Sequence, residues 1–128
     1  MVGLKIQFIS VLKQPPEKNV NNEREHKGRG EMINVIASIH VKDGRLSEFV
    51  VIFKSNIPNV LKEEGCIEYI PTIDLPTGLP PQELDKNVVT IIEKWRRLED
   101  LLAHLSAPHM LAYKERVKDL VDKVSLKI

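Results

Sequence analysis

Cysteine occurs once in this 128-residue chain, at Cys66. An internal disulfide is therefore excluded, and no cysteine cluster is available to hold a metal. A single thiol suits a reducing compartment and a cytoplasmic location. Charge of either sign is not in excess: 19 basic and 18 acidic side chains leave a net +1. Nothing points to bulk electrostatic binding of nucleic acid or of an acidic membrane. No apolar run approaches the about 20 residues that span a bilayer. Aromatic residues are few, at 5%, with one tryptophan. Against that scarcity, the stretch from Ile92 to Val117, IEKWRRLEDLLAHLSAPHMLAYKERV, stands out. It gathers Trp95, His104, His109 and Tyr113 around one corner of the chain.

What is present reads as one ordinary globular domain. Hydrophobic residues make up 42% and charged residues 29%. The chain divides near Met32. Residues 13–31, KQPPEKNVNNEREHKGRGE, carry Val20 as their only aliphatic side chain. Such a segment buries too little apolar surface to offset its ordering entropy. Residues 1–31 are expected to be a disordered or loosely attached extension. Its first dozen residues are candidates for a strand or helix that docks on the body. Met32 is a second candidate start for the native chain. MVGLKIQFISVL resembles a signal peptide only loosely, because Lys5 interrupts it and no small-residue cleavage site follows.

The body, 32–128, alternates strands and helices. Ile33–Val41 is β-rich, and Lys42-Asp43-Gly44 is a turn. Arg45 to Glu64 places Leu46, Phe49, Val50, Phe53, Ile57, Val60 and Leu61 at helical spacing. Pro58 is expected to kink that helix or to end its first part near Ile57. Cys66–Ile73 is the second strand, 74–86 a loop and candidate lid, and Asn87–Trp95 the third strand. Helices over 97–105 and 108–122 come next, then a short strand Val124–Ile128. The order predicts an α+β ferredoxin-like β-α-β-β-α-β fold with an antiparallel sheet and the second helix broken in two. The first strand and Val88–Ile92 are apolar on both parities. An antiparallel sheet with helices on one face normally alternates. A second copy laid face to face is the economical cover, an interface of about 2,000 Å² or more.

The opening INVIASIHVKDG, the helix end LKEEGCIEY, the strand end IIEKW and the corner AHLSAPHMLAY resemble the antibiotic biosynthesis monooxygenase family. They run in order through nearly the whole body. LKEEGC, the long Pro/Gly loop and AHLSAPHMLAY resemble its quinol monooxygenase branch most. The resemblance implies a dimeric α/β barrel. It also implies oxidation of an electron-rich aromatic, such as a quinol, by O₂ without flavin or metal. Relatives of the same fold degrade haem or isomerise a phosphorylated sugar. Trp95 corresponds to the family's pocket tryptophan. The asparagine, tyrosine and arginine of an anthrone-oxidising member fall at Ile91, near Leu101 and near Lys114, so that site is not reproduced. The asparagine, tryptophan and histidine of the haem degraders fall at Ala37, His104 and about Lys114, and none matches.

Cofactor-free quinol oxidation needs an apolar slot, a base and hydroxyl donors. The base must take the phenolic proton, because a phenolate yields an electron to O₂ far more readily than a phenol does. Histidine titrates near working pH. Donors then stabilise the developing oxyanion or superoxide. His104 and His109 are the candidate bases, and Tyr113 and Tyr69 the hydroxyl donors. Trp95 is a candidate stacking wall. His109 and Tyr113 are four apart and share a helix face. Glu93, a candidate substrate-binding residue on the Trp95 face by strand parity, reads as a buried acid with a raised pKa or as the partner of an arginine across the dimer, with the pairing preferred. Each has a plainer reading as core or solvated surface. Cys66 reads as a small apolar residue and His40 as a strand-end surface residue. No metal is expected, because Pro108 separates His104 from His109 and they do not form a same-face helical pair. Lys94-Trp95-Arg96-Arg97 reads as a solvated turn rather than a nucleic-acid contact, since Glu99-Asp100 come directly after. Three other functions fit the pattern. One is an isomerase of a small phosphorylated or carbonyl metabolite, with the same His as proton shuttle. Another is a non-catalytic binder of small aromatics, and the third an assembly module acting through the sheet interface.

Overall fold

The computed structural model describes residues 31–128; the expectations for 1–30 lie outside the described residues. The elements are β1 (Ile33–Val41), α1 (Leu46–Leu61), β2 (Cys66–Thr72), β3 (Val88–Trp95), α2 (Leu98–Leu105), α3 (Pro108–Val117) and β4 (Val121–Lys127). The strands form one antiparallel sheet in the order β2-β3-β1-β4. This is the ferredoxin-like arrangement with its second helix split at Ser106-Ala107. The sheet is open rather than closed into a barrel.

Strand parity sorts the sheet into two faces. Val35, Ala37, Ile39 and Val41 of β1 lie under the helices with Val89, Ile91, Glu93 and Trp95 of β3. The helices meet them with stripes at helical spacing: Phe49, Phe53, Ile57 and Val60 on α1, Leu101 and His104 on α2, and Met110, Tyr113 and Val117 on α3. The other face is less uniformly apolar than the sequence pattern predicts. Ile70, Ile92 and Ile36 stand side by side across β2, β3 and β1. Hydroxyl residues Thr72, Thr90 and Ser38 flank them on one side, and Glu68, Lys94 and Asn34 on the other. Ile36 is 40% and Ile92 38% exposed.

Three local expectations are corrected. α1 runs unbroken through Pro58, because Ile57 and Val60 are both buried on the sheet and hold the helix on either side of it. α3 stops at Val117 rather than 122, and β4 begins at Val121 rather than 124. Leu120 is buried, its N–H donates to Val117, and its carbonyl accepts from Lys42, so the chain turns there into pairing with Val41. The 74–86 loop is tied to itself. The Gln82 side chain donates to the Leu75 carbonyl at 2.8 Å and accepts from Thr77 N–H and Oγ1 at 3.0 and 2.6 Å.

The turn after α1 ties neighbouring elements to one another. Gly65 has φ +80°, a left-handed conformation that favours glycine. A Cβ there would collide with the Asp100 carboxylate. Its carbonyl accepts from Arg96 N–H at 2.8 Å, which joins this turn to the end of β3. The helix end, the strand end and the first turn of α2 are thus locked together.

Candidate active site

His104 lies at the centre of the locked corner. It is 2% exposed, on the inner stripe of α2. Its ring packs on Trp95 with centroids 4.8 Å apart and on Tyr69, edge on, at 5.5 Å. The Nδ1 atom lies 3.0 and 3.1 Å from the two oxygens of Glu63. Burial lowers the His104 pKa, and the hydrogen bond and charge of Glu63 oppose that fall. A buried imidazole held against a carboxylate is a base kept neutral until it takes a proton.

The second histidine arrives at the same carboxylate. His109 Nε2 is 2.6 Å from Glu63 Oε2. That approach is out of line for a hydrogen bond, and both ring nitrogens, though buried, lack one. The distance records contact rather than a formed bond. His109 and Tyr113 start from one helix face but serve different neighbours. His109, 24% exposed, faces Glu63. Tyr113 enters the aromatic cluster, 5.7 Å from Phe53 and 6.4 Å from Phe49. Tyr69 stacks on Phe53 at 5.7 Å with planes 9° apart.

Phe53, Asn56, Tyr69 and Tyr113 line a narrow slot of about 140 Å³, open mouth included. Ligand pockets typically measure about 300–1,000 Å³, so the slot is closed down in this conformation. Burial raises the pKa of both tyrosines, which keeps their hydroxyls protonated and able to donate. A second cleft, about 290 Å³, lies on the other side of Phe53 between α1 and the end of β2.

Trp95 is fully buried behind His104 and does not line the slot. Its Nε1–H donates to Glu93 Oε1 at 2.9 Å. Glu93 therefore points to the helix side of the sheet, where its burial and this hydrogen bond match the buried-acid reading rather than the preferred arginine pairing. Burial first, and the Glu63 charge after it, push the Glu93 carboxyl up to about 7, with the Trp95 hydrogen bond pulling down. Cys66 is packed at the core edge, as expected. Burial and the nearby Glu63 and Glu93 push its thiol up to about 12, so it is no nucleophile at neutral pH. Lys94, Arg96 and Arg97 face Glu68, Glu64 and Asp100 at 4.0, 3.5 and 3.1 Å.

Sequence reasoning missed Glu63, along with Phe53 and Asn56 as slot walls. Glu63 sits in a charged pair before Gly65, where side chains are usually solvated. One signal was available: an acid at a helix C-terminus runs against the helix dipole, and α1 carries no basic residue in its last turn.

The comparisons with known proteins agree with this architecture. The profile of the antibiotic biosynthesis monooxygenase family matches residues 32–116. A relative from Escherichia coli K12, "Probable quinol monooxygenase YgiN", is 38% identical over 99 residues, covering 76% of this chain and 95% of that protein. A conserved protein of known structure from Methanosarcina mazei is 27% identical with a TM-score of 0.63, covering 76% of this chain and 91% of its own. A structure from Nitrosomonas europaea, 18% identical with a TM-score of 0.66 over 77% and 88%, shares the fold. Among the described residues no helix is long and apolar enough to cross a membrane. The chain belongs to the antibiotic biosynthesis monooxygenase family.

Proposed function

We propose that this chain is a cofactor-independent monooxygenase or oxidase of a quinol or related electron-rich phenol, with O₂ as oxidant and His104 as base. The observation that carries the reading is His104 itself: a buried imidazole braced by a carboxylate and packed edge-on behind Tyr69, one wall of an aromatic slot. The 38% identity to the E. coli protein named for quinol oxidation supports the same substrate class. The substrate ring enters between Phe53, Tyr69 and Tyr113, whose side chains part to admit it. His104 takes the phenolic proton and the phenolate gives its electron to O₂. The hydroxyls of Tyr69 and Tyr113, which make no hydrogen bond among the described residues, donate to the oxygen on which charge develops. Glu93 and Trp95 hold the back of the site through their mutual hydrogen bond.

The same reading includes a homodimer through the open sheet face, which completes a barrel. The row Ile70, Ile92 and Ile36 supplies its apolar centre, and the flanking hydroxyl and charged rows its rim. The free Cys66 fits work in the cytoplasm. The test is dioxygen uptake by protein stripped of metal and flavin, against menadiol and other hydroquinones, with uncatalysed autoxidation subtracted. Excess uptake with at least one quinol supports the proposal. No excess with any of them overturns it and turns attention to a proton-shuttling isomerase.

A further inference from the structure

We infer that Glu63 is the positioning residue of this site: its carboxylate holds the proton of His104 on Nδ1 and leaves Nε2 as the nitrogen that meets the substrate. The inference rests on the proposed use of His104 as base, and names the group that makes it one.

The argument is one of donors and acceptors. A neutral imidazole has one N–H and one bare nitrogen, and a neighbour decides which is which. An ionised carboxylate only accepts. Both Glu63 oxygens face Nδ1, at 3.0 and 3.1 Å, so Nδ1 carries the hydrogen. The lone pair is then on Nε2, on the far edge of the ring. Nε2 has no hydrogen-bond partner among the described residues. When His104 takes a proton, the resulting imidazolium lies against a negative charge, at a site where burial alone would oppose its formation.

The backbone makes Glu63 a fixed support rather than a passing contact. Its N–H donates to the Val60 carbonyl at 2.9 Å, and its carbonyl accepts from Cys66 N–H at 3.2 Å. Gly65, two residues on, is wedged against Asp100. The side chain is itself only 14% exposed. The charged or titratable groups facing His104 are Glu63 from the turn after α1, His109 and Lys114 from α3, and Tyr69 from β2. Glu63 is the one acid among them. His109 Nε2 lies against Oε2 alone, off the hydrogen-bond line, whereas His104 Nδ1 is within reach of both oxygens.

Two measurements test this. Nitrogen NMR of the imidazoles in the intact wild-type protein at neutral pH reads the tautomer without any need for turnover. A His104 ring protonated on Nδ1 is expected; protonation on Nε2 overturns the inference. The second is Glu63→Gln, which keeps the volume but offers an N–H₂ that favours the opposite tautomer. Its kcat with menadiol is expected to fall about 10²- to 10⁴-fold, the span general-base catalysis supplies, with the upper end the loss a mis-set tautomer causes in a serine protease. KM is expected to stay within about twofold, and Glu63→Asp to restore part of the rate. A Glu63→Gln kcat within about threefold of wild type overturns the positioning role. Should the wild type turn over no quinol while NMR finds the Nδ1 tautomer, the functional proposal fails and the Glu63–His104 pairing stands.

Discussion

Replacing Glu93 with glutamine should stabilise the protein at alkaline pH and leave it unchanged in acid. Glu93 is 6% exposed on the helix side of the sheet, and its carboxyl is carried from 4.5 to about 7. Between those values the unfolded chain has released the proton while the folded protein keeps it. Stability therefore falls as pH rises through this window. The penalty is absent below the unfolded value and complete above about 7. At about 1.4 kcal/mol for each tenfold change in proton affinity, its ceiling is about 3 kcal/mol. Glutamine is neutral and nearly isosteric, and its amide oxygen still accepts from Trp95 Nε1. The assay is urea denaturation of wild type and Glu93→Gln at one protein concentration, near pH 4, 6 and 8. The variant should match wild type near pH 4 and exceed it by up to about 3 kcal/mol near pH 8. His104 acts in the opposite sense. Its lowered pKa costs stability as pH falls below the unfolded value, but it is common to both proteins and cancels in the difference. A gap that does not grow with pH, or a wild type more stable than the variant near pH 8, would refute the reasoning.

The same geometry makes two further predictions. Gly65→Ala forces a side chain into the buried Asp100 carboxylate at φ +80°; it should cost about 3 kcal/mol or more and lower the melting temperature accordingly. Ile92→Asp puts a charge in the middle of the isoleucine row; light scattering should show the mass halved from dimer to monomer, and an unchanged dimer would remove that face from the proposal.

Most of the fold was legible because burial writes itself into spacing. The period-two pattern of Val35, Ala37, Ile39 and Val41 and the helical spacing of Phe49, Phe53, Ile57 and Val60 both became the core. Pro58 misled because local propensity yields to the apolar anchors on either side. The end of α3 was misread because Leu120 and Val121 continue a helical-looking run, while Leu120 turns the chain and tertiary pairing claims Val121 for the strand. The candidate site's cluster was legible in its rare residues. His104, Tyr69 and Trp95 converge, and His109 and Tyr113 stand beside them. Their relations were not legible. Trp95 faces Glu93 and the back of His104, not the slot. Glu63, 41 residues before His104, meets it only through the fold. A carboxylate in a charged helix end carries no mark in sequence of the partner it will find.

The most direct measurement of the central claim compares dioxygen uptake by wild type and His104→Ala with menadiol, above the uncatalysed rate, after circular dichroism has matched their folds. The account predicts a wild-type excess that falls at least about 100-fold in the variant, the share general-base catalysis typically supplies. An excess that survives the substitution would contradict it.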